Sequence, residues 1–171
     1  MPQVTIRLAR EEDDEAVGEL LIRAFVETYA RKMPEVIVTE SRKADLRDVS
    51  SKRAVAQVWI AERSDSTDNR IVGTVALFPA GSAASQAWLP NCSDLRHLAI
   101  SDEARGLGIS TQLVSECERQ ARVWGNSAIC LHVRQGADGV GKTYESLGYD
   151  RDLKGDASLS SVHLLGYIKY L

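Results

Sequence analysis

The chain has 171 residues, of which 44% are apolar and 26% charged, and a formal net charge of −3. That length suits one ordinary domain, here expected to span residues 1–171, that buries its own core without staples. A chain that lives on nucleic-acid phosphates shows a basic surplus, which this one lacks, and no apolar stretch approaches the ~18 residues of a membrane span. Met1-Pro2-Gln3-Val4 has neither the basic nor the apolar part of a secretory leader. Cys92, Cys117 and Cys130 are odd in number and form no CxxC, which argues against a disulfide framework and for a reducing interior. A cytoplasmic protein with no nucleic-acid and no membrane partner is the expectation.

In chain order, Val4 to Leu8 reads as a first strand with Val4, Ile6 and Leu8 on one face. Asp13 or Asp14 caps a helix running to about Ala30, with Val17, Leu20, Leu21, Ala24, Phe25 and Thr28 or Tyr29 at helical spacing and acidic residues at its start. A second helix is expected between about Pro34 and Val49, although Val36-Ile37-Val38 works against it. Strands at about Val55 to Glu62 and Arg70 to Phe78 flank the polar turn Ser64–Asn69. A small-residue loop from Ala80 to Ser93, with Trp88 as its one bulky landmark, leads to a strand from Asp94 to Ile100. A glycine turn and a helix from about Ser110 to Trp124 follow, with Leu113, Val114, Cys117, Ala121 and Trp124 on its apolar face. Then come a strand from Ser127 to Val133, a short helix from about Asp138 to Leu147 closed by Gly148 at C′, and two last strands at Tyr149–Leu153 and Ser160–Tyr170. Val140, Tyr144 and Leu147 share a face of the short helix. The strand–helix–strand unit requires a parallel pair with a right-handed crossover, and the pair about the polar turn an antiparallel one. The fold class is therefore α/β, a mixed central sheet with helices on its faces.

The most informative segment is Asp94 to Ser110. A strand enters a turn containing Gly106 and Gly108, and a long helix begins at once. The glycines let backbone N–H groups face inward without Cβ obstruction, and the helix start adds unpaired donors and a positive dipole end. That combination cradles a diphosphate, to which Arg105 adds charge; the plainer reading is a surface turn with an exposed arginine. The segment is neither a P-loop nor a GxGxxG fingerprint.

Arg105-Gly106-Leu107-Gly108-Ile109-Ser110 resembles the R/Q-x-x-G-x-G/A motif of the GNAT family of N-acetyltransferases, with Ser110 in place of the usual last Gly or Ala. Thr143-Tyr144-Glu145-Ser146-Leu147-Gly148-Tyr149 resembles the same family's YExLGF/Y segment, and the element order agrees over nearly the whole chain. The resemblance implies a GNAT-like acyl-CoA N-acyltransferase fold with acetyl-CoA as co-substrate. Leu98, Ala99 and Ile100 would line the pantetheine arm, on a strand that splays from its neighbour, with a backbone N–H near Ile100 facing the oxyanion. Arg105, Gly106, Leu107, Gly108, Ile109 and Ser110 would hold the diphosphate. Lys142 and Arg134 are candidates for CoA phosphates or for solvated surface. The asparagine that often precedes the motif tyrosine by about seven residues is absent here, Ala137 and Asp138 standing in that neighbourhood.

The resemblance further implies that Tyr144 is the general acid for the departing thiolate, a role that a phenol protonated at neutral pH suits. Asp94 is the positional candidate for the base that takes a proton from the amine; strand-start solvation and binding of a substrate cation are its other readings. His97 is an alternative base by its pKa range, or a packed strand histidine; strict alternation places Asp94, Arg96, Leu98 and Ile100 on one face and His97 on the other, unless a bulge intervenes. The scattered histidines and cysteines give no metal-ligand spacing, so no metal is expected.

The acceptor is expected to be a primary amine of a small molecule, attacking directly. It would be selected by the segments Phe25–Val49, Ala80–Ser93 and Lys154–Ser161, with Glu27, Tyr29, Trp59 and Trp88 as lining candidates. The acidic first helix favours a cationic acceptor. A CoA-binding regulatory module without turnover and a protein or peptide acetyltransferase are the alternatives. The apolar terminal segment Val162–Leu171 fits a core or a homodimer interface.

Overall fold

A computed structural model describes residues 3–65, 68–160 and 162–171. Among them the elements run β1 (Gln3–Leu8), α1 (Asp14–Ile22), a wide π-helical turn (Arg23–Glu27), α2 (Thr28–Lys32), α3 (Glu40–Arg47), α4 (Val49–Val55), β2 (Gln57–Asp65), β3 (Asp68–Phe78), β4 (Cys92–Ile100), α5 (Ile109–Val123), β5 (Ala128–Arg134), α6 (Asp138–Ser146), β6 (Asp150–Arg151), β7 (Ala157–Leu159) and β8 (Val162–Tyr170). The strands form one mixed sheet in the order β1-β2-β3-β4-β5-β8-β6, with β7 on β8. The expected mixed α/β architecture is present. Ser66 and Thr67 of the expected polar turn, and Ser161 of the last hairpin segment, lie outside the described residues.

The chain divides into two compact units, residues 1–77 with 97–116, and residues 78–96 with 117–171. In the first, β1 and β2 pair antiparallel from Gln3↔Ser64 to Leu8↔Trp59, and β2 pairs antiparallel with β3. Its core includes Leu20, Leu21, Leu46, Ile60, Val75 and Leu113. Gly73 of β3 makes room for this packing: a Cβ there would meet Ile100 and Ile109 at 3.0 Å and Leu113 at 3.1 Å.

The helical region departs from the periodicity in two places. The single helix expected to run to Ala30 widens at Arg23–Glu27 before α2. The helix expected from Pro34 begins only at Glu40, because Thr39 caps it, its side chain accepting from Arg42 N at 3.1 Å. The β-branched run Val36-Ile37-Val38 stays outside the helix, as its restricted side chains favour. Asp48 then caps α4, accepting from Ser51 N at 3.3 Å, so the segment expected to start a strand at Val55 is still helical.

In the second unit β4 and β5 pair in parallel from Cys92↔Ala128 to Asp94↔Cys130, and β5 pairs antiparallel with β8 from Ala128↔Tyr170 to Arg134↔Leu164. Cys92 and Cys130 form a disulfide across this pair, with Cα atoms 6.3 Å apart, while Cys117 is buried elsewhere. This corrects the reading of the cysteines as unpaired. An odd count without a CxxC says nothing about two cysteines that neighbouring strands bring within reach, here two register positions apart.

Trp88 is fixed here by packing. Its Nε1 donates to Asp152 Oδ2 at 2.9 Å, and its ring meets His132 edge-on at 5.1 Å. His132 Nε2 in turn lies 2.8 Å from Gly155 O. A Cβ on Gly155 would stand 2.5 Å from Trp88 ring atoms, so only glycine lets the indole seat. Gly155→Ala is expected to destabilise by about 1–3 kcal/mol through overpacking. A red-shifted tryptophan emission in the folded variant, together with a lower urea midpoint, would check it.

Candidate active site

The turn singled out in the sequence belongs to the first unit. β4 ends at Ile100, a short 3-10 turn spans Asp102–Ala104, and α5 starts at Ile109. Gly106 and Gly108 sit at φ +79° and +74°, a backbone region that side-chain-bearing residues rarely enter. A Cβ on either would find nothing within 4 Å, so the turn presents bare, accessible backbone at the head of a long helix. Ile109 and Ala104 anchor it, both 1% exposed, while Arg105, Gly106, Leu107 and Gly108 stand exposed. Gln112 N donates to Gly108 O at 3.2 Å as the helix opens, and the N–H groups ahead of it belong to the turn whose intrahelical acceptors do not exist. These features fit a diphosphate.

Arg105 is half-exposed and pairs with Asp102 at 3.0 Å; Arg31 of α2 reaches the same carboxylate at 3.8 Å. These three residues line a cleft of about 260 Å³ together with Arg23, Glu27 and Ile100. The wide turn Arg23–Glu27 therefore contributes wall to the cleft. Sequence reasoning missed Arg23, Arg31 and Asp102. The motif named only the arginine after the strand, and nothing in the spacing tied α2 to it.

β4 does not keep strict alternation. His97 has φ +58°, so the strand kinks there and the face assignments on either side are independent. The His97 ring lies edge-on to Phe25 at 6.0 Å, and Phe25 to Tyr29 at 6.3 Å. Tyr29 is thus packed on Phe25, and Trp59, 8% exposed, is part of the core rather than of a lining. Leu98 and Ile100 are half-buried and Ala99 is buried.

The remaining site candidates belong to the second unit. Asp94 is fully buried. Its Oδ2 accepts from Arg96 Nε at 2.7 Å and from Gln86 N at 2.8 Å, while Oδ1 is buried and has no hydrogen-bond partner among the described residues. Arg96 also donates to Ala84 O and lies over the Phe78 ring at 4.3 Å. The carboxylate therefore ties two points of the 79–91 loop, directly and through Arg96.

Tyr144, on α6, is 6% exposed and meets Tyr149 edge-on at 5.7 Å. Burial, reinforced by Cys117, pushes its phenol well above the ordinary tyrosine range, so it keeps its proton at neutral pH. Val140, expected on the same apolar face, is 41% exposed, and Lys142 is exposed. Two polar residues of this unit, Glu118 and Lys169, hydrogen-bond beside Tyr149, and sequence reasoning passed over both. A carboxylate in the apolar stripe of α5 and a lone cation in the apolar run of β8 were the available signals.

Among the described residues no cluster of His, Cys, Asp and Glu could hold a metal ion, and no helix is long and apolar enough to cross a membrane. The probable N-acetyltransferase camello of Xenopus laevis is 26% identical over 115 residues, 66% of this chain; the match spans 48% of that protein, about half its length. A GNAT-family acetyltransferase from Staphylococcus aureus Mu50 superposes with a TM-score of 0.74 at 16% identity, over 99% of each chain. An acetyltransferase from Bacillus anthracis str. Ames, solved in complex with acetyl coenzyme A, superposes with a TM-score of 0.54 at 18% identity, over 68% of this chain and 63% of its own. The profile of the acetyltransferase (GNAT) family matches residues 15–149, and the chain belongs to that family.

Proposed function

We propose that this protein is an acetyl-CoA-dependent N-acetyltransferase that moves an acetyl group to a primary amine of a small molecule by direct attack. The observation that carries the reading is the turn at Gly106 and Gly108, whose open backbone leads straight into α5. Acetyl-CoA supplies an activated thioester. On this reading the backbone of Gly106 to Ser110 and the Arg105 guanidinium hold its diphosphate, Lys142 contributes a further cation, and Leu98 to Ile100 orient the arm. Tyr144 holds a proton at its phenol oxygen for the departing thiolate. Asp94, through Oδ1, takes the proton of the amine. The burial of Asp94 and its pairing with Arg96 favour a second role, positioning of the 79–91 loop, and the two are separable by experiment.

A mass-spectrometric screen of small amines and peptides with acetyl-CoA tests the proposal. Acetylation of small primary amines with stoichiometric CoA release is the expected result. Tight acetyl-CoA binding by calorimetry without transfer to any amine would establish a regulatory module instead. Transfer confined to peptide N-termini would place the acceptor among proteins, and light scattering of the same sample reads the proposed homodimer.

A further inference from the structure

α6 ends in a cap that fixes its tyrosine. Tyr149 N donates to Tyr144 O and Gly148 N to Glu145 O, each at 3.0 Å, with Gly148 at φ +93°. This is a Schellman motif, with Tyr144 at C3, Gly148 at C′ and Tyr149 at C″. The side-chain contact that accompanies such caps is here ring against ring, at 5.7 Å and 70°. The orientation of the Tyr144 ring therefore depends on that of Tyr149.

Tyr149 is itself held. It is 1% exposed, and its phenol donates to Glu118 Oε1 at 3.3 Å. The same oxygen accepts from Lys169 Nζ at 2.9 Å, and Nζ also donates at 2.9 Å to Leu147 O, a carbonyl that the end of α6 leaves over. The Lys169 side chain runs close along Gly148, where an added Cβ would lie 3.3 Å from its Cε. One ammonium thus ties β8 to α5 and to the α6 cap. A largely buried ion pair adds little stability over well-packed apolar residues, so stability alone does not account for this one.

We infer that Lys169 and Glu118 are positioning residues for Tyr144, acting through the Tyr149 ring and the α6 cap. The inference rests on the reading of Tyr144 as general acid. Neither residue reaches the reacting atoms on this account, and each acts by holding the phenol in one place. A misplacement of about 1 Å at a reacting group costs about 100-fold in rate, so losing the tether is expected to matter.

The test uses Lys169→Met, with Lys169→Gln as the milder variant should the first fold poorly and Lys169→Arg as the conservative rescue. With acetyl-CoA and an amine taken from the panel above, kcat is expected to fall by about 10- to 100-fold while KM for acetyl-CoA stays within about twofold, and Lys169→Arg to recover most of the loss. In the Tyr144→Phe background the same substitution is expected to have no further effect on kcat. Independent multiplication of the two losses would overturn the inference.

A second readout needs no acceptor. The five tyrosines are labelled with 3-fluorotyrosine, and the Tyr144 fluorine resonance is assigned by its loss in Tyr144→Phe. Lys169→Met or Lys169→Gln should shift or broaden that resonance; an unchanged Tyr144 signal in a folded variant would overturn the inference. If Tyr144→Phe itself leaves kcat intact, the acid role fails instead, and the fluorine spectrum still reports whether Lys169 positions the ring.

Discussion

Tyr144→Phe is expected to lower kcat by about 100- to 10,000-fold, the usual contribution of a positioned general acid, and to leave KM for acetyl-CoA within about twofold. The substitution removes one oxygen and keeps the ring, so the edge contact with Tyr149 at 5.7 Å and the cap of α6 survive, and circular dichroism should be unchanged. Burial holds the phenol protonated far above neutrality, so this acid produces no falling limb in the pH–rate profile at or near neutral pH. The same burial makes a stability prediction with a definite sign. The folded-state pKa values of Tyr144 and Tyr149 are raised above 10.0, so the stabilisation from keeping both neutral is fully present below pH 10.0 and is lost as pH rises beyond it. Tyr144→Phe should therefore unfold less steeply in alkali than the wild-type chain. A rate unaffected by the substitution at every pH would remove Tyr144 from the chemistry.

The parts of the fold visible in the sequence are those dictated by local chemistry. Gly148 was legible as C′ because only a residue at ease with positive φ closes a helix in that way, and it stands at φ +93°. The α5 face of Leu113, Val114, Cys117 and Ala121 was legible from 3.6-residue spacing and is buried, whereas Trp124, expected on the same face, lies one residue past the end of α5 and is half-buried. Gly106 and Gly108 were legible as a turn ahead of a helix, and the structure makes them open backbone.

What was not legible depends on distant partners. The kink at His97 has no local signature strong enough to place it, since histidine enters φ +58° more often than most side chains but still only rarely. The Cys92–Cys130 pairing follows from the β4–β5 register, and the seat of Trp88 from Gly155, 67 positions away in the numbering. Asp94 shows the same limit within the site. Its place at the start of the expected strand suggested a base, a solvated strand end or a substrate-cation site, whereas long-range folding buries it and gives one of its oxygens to Arg96 and Gln86.

Asp94→Asn separates the two roles open to that residue. The carboxylate is fully buried, and its partner Arg96 retains 20% of its side-chain exposure. Neutralising Asp94 removes the countercharge of the Arg96 guanidinium and leaves it a neutral amide oxygen, Ala84 O and the face of Phe78. Breaking a buried pair from one side costs about 3–5 kcal/mol, and the partial exposure of Arg96 points to the lower end, about 3 kcal/mol. For a chain of this size that is a fall of about 6–12 °C in Tm. The Asp94→Asn/Arg96→Met double variant removes both charges and should regain much of that loss, because the penalty comes from the charge left behind. Kinetics then decide between the roles. If Asp94 takes the amine proton, kcat/KM falls in the single and double variants alike, and the alkaline rise of the pH–rate profile moves toward the pKa of the free amine. If Asp94 holds the 79–91 loop, the single variant raises KM for the amine, leaves the pH profile in place, and recovers when the double variant restores the packing. Restored stability without restored turnover would assign the chemistry to the carboxylate; restoration of both would assign it to the loop.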